Sequence, residues 1–135
     1  MSVELVKRYF QKMDLRNSVP CGGDVKIPAV VGFVFPEGLK EMIEKGENLL
    51  ILDVREECEA QKMPFKAEGV EIKVIPIREL MDRLNEIPKD RPVILVCNFA
   101  IRASMAKMAL DLAGFDNVKV LKGGVEQWNQ LINNS

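Results

Sequence analysis

Five short runs rich in branched aliphatic residues recur along the chain, AVVGFVF, LLILDV, EIKVIP, PVILVC and VKVL, and amphipathic stretches separate them. An apolar run of this kind without polar alternation suits a strand buried on both faces. The intervening stretches have helical spacing: Leu39, Met42 and Ile43 before Gly46, then Ile77, Leu80, Met81 and Leu84 before Pro88. Met105, Met108, Ala109 and Leu112 follow before Gly114, and Val125, Trp128, Leu131 and Ile132 close the chain. Short buried strands alternating with helices require crossover connections, which make the strands parallel and lay helices on the sheet. The expected architecture is α/β in three layers, a central parallel sheet of about five strands with helices on both faces and AVVGFVF as a short edge strand.

Ahead of this pattern, Val3, Val6, Phe10 and Met13 recur at helical spacing after Ser2, a good N-cap, so a short helix is expected there. The tract RNSVPCGGDVKIP then carries Pro20, Gly22, Gly23 and Pro28 and reads as a loop. The chain therefore divides into an N-terminal extension, 1–32, and one domain, 33–135, which suits 135 residues of which 47% are apolar. Nineteen basic residues stand against 20 acidic ones with no long run of one sign, which argues against a nucleic-acid partner or a membrane-surface protein. MSVELVKRYFQKMD mixes charges into its apolar residues where a signal peptide would not, so a cytoplasmic protein is expected. Cys21, Cys58 and Cys97 are odd in number and lack paired spacing, which leaves at least one free thiol.

Open parallel sheets bind ligands beyond the carboxyl ends of their strands. Two chemically capable residues fall there, Asp53 closing LLILD and Cys97 closing VILVC. The chain contains no histidine, which removes Ser-His and Cys-His dyads and every histidine-ligated metal site. A nucleophile here needs another source of activation. A cysteine on a tight loop between a buried strand and a helix meets converging backbone N–H groups and the positive helix end, and both favour a thiolate. Arg102, five positions on, adds a fixed charge and a planar fork suited to an anion. The plainer alternative makes Cys97 a small buried residue that ends a strand.

Taken together, LLILDVRE at Leu49 to Glu56, VILVCNFAIRAS at Val93 to Ser104 and VLKGGVEQW at Val120 to Trp128 resemble the single-domain rhodaneses, a sulfurtransferase family, over about residues 33 to 133. The resemblance implies a rhodanese-like domain whose cysteine takes a sulfane sulfur from a small-molecule donor, thiosulfate or a persulfide. The sulfur is held as a persulfide and passed to a thiol or cyanide, or along a protein sulfur relay. Cys97 is then the nucleophile. Asn98, Phe99, Ala100, Ile101 and Arg102 form the sulfur-cradling and substrate-binding loop, and Asp53 and Arg55 support it. No metal or organic cofactor is implied. Gly123 and Gly124 supply permissive backbone before the last helix, and Trp128 belongs to the core.

The chain departs from the family pattern at several points. QKMPFKAEGV stands where the family commonly has Gly-His-Ile-Pro-Gly-Ala. Ala100 occupies a position where glycine is common, and its Cβ resists left-handed backbone angles. Ile101 is apolar where many relatives carry a polar or basic residue, so thiosulfate is expected to be a poor donor. Phe99 is expected to pack rather than to contact a partner. A phosphatase or arsenate reductase is disfavoured, since Asn98 to Ile101 is one residue too short for a phosphoryl cradle. A catalytically silent partner-binding module is the other alternative. Cys21 as a resolving thiol is not required by the spacing, and Cys58 among Glu56, Glu57 and Glu59 is expected to be a quiet surface thiol.

Overall fold

The structure is a computed structural model that describes residues 3, 4, 7 and 32–134. Val3, Glu4 and Lys7 are helical. The rest of the expected N-terminal helix, Val6, Phe10 and Met13, and the loop that carries Cys21 lie outside the described residues.

From Gly32 onward the chain alternates as its apolar runs require. The elements are β1 (Phe33–Val34), α1 (Pro36–Glu44), β2 (Leu50–Asp53), α2 (Glu57–Lys62), β3 (Glu71–Val74), β4 (Val93–Val96), α3 (Ile101–Leu112), β5 (Val118–Leu121) and α4 (Gly124–Asn133). The five strands form one sheet in the order β1-β5-β4-β2-β3, and every pairing is parallel. β2 and β4 are buried at all four positions, which is why their sequences show no polar alternation.

Strand periodicity sends alternate side chains into two cores. Leu50, Leu52, Val54, Val93, Leu95 and Cys97 share one face with Ala103, Ala106 and Leu110 of α3 and with Leu80. Leu49, Ile51, Ile94 and Val96 share the other with Leu39 of α1, Val125 and Trp128 of α4, and Phe65. Trp128 is fully buried, stacks on Phe65 at 4.8 Å between ring centroids, and donates its indole N–H to the Lys66 carbonyl at 2.9 Å. It is a core residue, as its spacing suggests.

Two helical expectations need correction. Ile77 to Leu84 does not form an α-helix; Ile77–Asp82 and Leu84–Glu86 are 3₁₀ segments. A three-residue turn aligns Ile77 with Leu80, the buried residue, and leaves Met81 exposed, whereas an α-helix would have placed Met81 on the same face as Ile77 and Leu80. In α3 the helix exists, but Met105 and Met108 are not its buried face: they are 59% and 40% exposed, while Ala103, Ala106 and Leu110 are buried. Small residues let this helix approach the sheet closely, and that face is the one turned toward Cys97. A short helix not foreseen from the periodicity, α2, buries no side chain and is held by a capping box between Glu56 and Glu59.

The face assignment of α3 is testable by denaturant unfolding. Leu110→Ala should cost about 2–5 kcal/mol, whereas Met105→Ala should stay within about 0.5 kcal/mol of wild type.

Candidate active site

β2 and β4 are neighbours, yet the chain leaves β2 toward β3 on one side and leaves β4 toward β5 on the other. The carboxyl ends of these two strands are therefore a topological switch point, the place where such sheets open a crevice. Asp53 pairs in register with Val96, the residue before Cys97, so both chemically capable residues lie at this end of the sheet.

Cys97 is 2% exposed, a free thiol at the end of the central strand. Its Sγ accepts from the backbone N–H of Ala100 at 3.1 Å and of Ala103 at 3.3 Å. Both donors belong to the loop and first turn of α3, so the sulfur lies against the helix N-terminus, and negative charge on it is met by two oriented dipoles. Ala103 is a donor that the sequence reading did not single out.

The loop takes this shape through Ala100, whose φ of 105° and ψ of −6° are left-handed. Among the described residues it is the one non-glycine residue with positive φ, and it occupies the position where the sequence departs from glycine. The chain tolerates the strain because the loop is pinned elsewhere.

One set of pins comes from α4. The Val125 N–H donates to the Cys97 carbonyl at 2.8 Å, and the Glu126 N–H donates to the Asn98 carbonyl at 3.3 Å. This approach requires glycine at position 124: a Cβ there would stand 2.3 Å from both carbonyl oxygens, and its φ is +64°. The glycine pair in VLKGGVEQW thus lets the last helix hold the cysteine loop.

The second set is a chain of charged side chains. Arg55, fully buried, donates Nε to Asp53 Oδ1 at 3.0 Å and Nη2 to Asp53 Oδ2 at 2.7 Å. Its Nη1 donates to Asn98 Oδ1 at 3.1 Å. Asn98 Nδ2 continues to Glu59 Oε1 at 3.3 Å, and Glu59 receives both terminal nitrogens of Arg102 at 2.8 Å each. Glu59 Oε2 also accepts from the Glu56 N–H at 2.9 Å. The structure thus brings Asp53, Arg55, Asn98 and Arg102 into one network with a partner that sequence reasoning missed. The available signal was the E-x-x-E spacing of a capping box at Glu56 and Glu59.

Two loop residues remain outside that network. Phe99 is 65% exposed and Ile101 is 74% exposed, so Phe99 does not pack as expected. The loop turns its backbone donors inward to the sulfur, which leaves these side chains directed outward. Cys58 is a free, exposed thiol.

These features agree with the comparisons to known proteins. A family model described as the rhodanese-like domain matches residues 35–131, and the chain belongs to that family. Curated relatives include the tRNA sulfurtransferase of Shewanella halifaxensis (strain HAW-EB4), 35% identical over 75 residues, or 56% of this chain and 16% of that protein. That of Blochmanniella pennsylvanica (strain BPEN) is 30% identical over 89 residues, 66% of this chain and 18% of that protein. The chain thus spans less than a fifth of the length of these relatives. Among solved structures, a NAD-dependent persulfide reductase from A. fulgidus is 37% identical with a TM-score of 0.56, covering 72% of this chain and 16% of that one. A rhodanese-related protein from Thermoplasma volcanium shares the fold, with a TM-score of 0.62 at 24% identity over 74% of this chain and 92% of that one. No helix among the described residues is long and apolar enough to cross a membrane.

Two outcomes follow from this geometry. Ala100→Gly should relieve left-handed strain of about 1–2 kcal/mol against an unfolded-state cost of about 0.4–1 kcal/mol, a small net gain in the denaturant midpoint. The second concerns acid. The Arg102 hydrogen bonds, followed by the Glu56 N–H, lower the Glu59 carboxyl from 4.5 to about 2. A carboxylate depressed by folding contributes stability above its unfolded value, and that contribution is lost as pH falls from about 4.5 through about 2. Glu59→Gln should therefore flatten the acid limb of stability within that window, measured as denaturant midpoint against pH.

Proposed function

We propose that the chain is a sulfurtransferase in which Cys97 carries a sulfane sulfur as a persulfide between a donor, thiosulfate or a persulfide, and a thiophilic acceptor such as a thiol or cyanide. The observation that carries this reading is the placement of the Cys97 sulfur at the sheet's switch point with the Ala100 and Ala103 N–H groups directed at it. In a chain without histidine, those dipoles supply what an imidazole partner would otherwise provide. The sulfurtransferase names of the curated relatives and the persulfide reductase name of a structural one support the same chemistry.

In the first half-reaction the Cys97 thiolate attacks the outer sulfur of the donor, the donor's S–S bond breaks, and its leaving group departs with the electron pair. In the second, the acceptor attacks the outer sulfur of the Cys97 persulfide and regenerates the thiolate. Asn98 to Arg102 shape the cradle, and Asp53 and Arg55 hold it. Residues 33–135 carry this chemistry, residues 1–32 are an extension, and the protein works in the cytoplasm. A protein thiol is a suitable acceptor, which would make the domain one station of a sulfur relay.

Intact-mass measurement after incubation with sulfur donors tests the proposal. Wild type should gain one sulfur atom that cyanide or a thiol removes; Cys97→Ser should gain none, and Cys21→Ser and Cys58→Ser should behave as wild type. An adduct that persists in Cys97→Ser would end the assignment, and absence of any adduct would favour a silent binding module.

A further inference from the structure

The fork of Arg102 stands at the loop, but both of its terminal nitrogens are taken by Glu59. Glu59 remains ionised down to about pH 2, so the pair stays charge-neutral across the physiological range. Arg55 is likewise matched by Asp53. The four charged side chains of the network comprise two acids and two arginines and sum to zero. At the rim stand Phe99 and Ile101, both exposed and apolar, and the sulfur itself is almost fully buried.

We infer that Glu59 is a donor-selecting positioning residue: by occupying Arg102 it leaves the cysteine loop without net side-chain positive charge, so that the site draws sulfur from a thiol persulfide in preference to a dianion such as thiosulfate. The inference rests on the sulfurtransferase reading above and specifies its substrate class.

Charge balance shows where the two donors part. With a protonated persulfide, Cys97–S⁻ and R–S–SH give Cys97–S–SH and R–S⁻, one negative charge before and after. With thiosulfate, Cys97–S⁻ and S–SO₃²⁻ give Cys97–S–S⁻ and SO₃²⁻, three negative charges throughout. The dianion must approach the anionic sulfur of a buried cysteine, shed water beside Phe99 and Ile101, and find the Arg102 guanidinium already paired with Glu59. A persulfide meets less repulsion, and its organic part gains apolar contact at the same rim. Two amide dipoles help either donor and do not discriminate between them.

The test compares second-order rate constants for loading Cys97, followed by intact mass, with thiosulfate and with the persulfide of a neutral thiol, N-acetylcysteine methyl ester. In wild type the persulfide should load faster. Glu59→Gln frees the charge of Arg102 while keeping the size of the side chain, so the thiosulfate-to-persulfide ratio should rise on the order of tenfold and the thiosulfate rate should become more salt-dependent. Ile101→Lys, at an exposed position, should move the same ratio in the same direction and serves as the probe if Glu59→Gln does not fold. Equal wild-type loading by the two donors at physiological salt, or a ratio unchanged in the folded variants, would overturn the role of Glu59. Loading by neither donor would overturn the sulfurtransferase reading itself.

Discussion

Arg55 has no contact with solvent, and a guanidinium in that position must have every charge-bearing edge answered or the fold loses several kcal/mol. Asp53, two residues earlier, answers two nitrogens, and Asn98, on the cysteine loop, answers a third. The demand of one buried cation therefore ties the end of β2 to the loop that follows β4. From Asn98 the network extends to Glu59 and Arg102, which joins α2 and α3 to the same point. Removing one member would strand its partner, so these residues hold as a set rather than as independent pairs.

That set, together with the first turn of α4, explains how a left-handed alanine persists at the site. The loop between Cys97 and Ile101 is restrained through the Asn98 side chain on one side and through the Cys97 and Asn98 carbonyls on the other. With those carbonyls engaged by the amides of Val125 and Glu126, the loop is free to direct the Ala100 N–H at the sulfur. Backbone strain at position 100 and close approach at Gly124 are two sides of one arrangement, in which several elements converge on a single thiol.

The same economy of charge shapes the chemistry. The two arginines of the network, Arg55 and Arg102, are each matched by a carboxylate, so in the proposed reaction stabilisation of a sulfur anion falls to neutral backbone dipoles. Such dipoles are fixed before any donor arrives and require no reorganisation when charge develops. Around them the loop offers Phe99 and Ile101, and α3 continues outward with Met105. A neutral interior behind an apolar rim is consistent with a donor whose recognition depends on organic surface as much as on charge.

The sequence alone determined the parallel α/β sheet, the burial of β2 and β4, and the position of Cys97 between strand and helix, because all three follow from local periodicity and from one cysteine at a strand end. It also flagged Ala100, since the steric cost of a Cβ at left-handed angles is a property of the residue itself. It missed the face of α3, where spacing selected the large methionines while close packing on the sheet favoured Ala103 and Ala106. It missed the 3₁₀ geometry after β3, where three- and four-residue spacings overlap over a short stretch. Above all it left Arg102 without a partner. Glu59 lies 43 residues away along the chain, and only the packing of α2 beside the cysteine loop decides that its carboxylate meets that guanidinium. Whether a charge is free or matched depends on distance in space, which no pattern along the chain encodes.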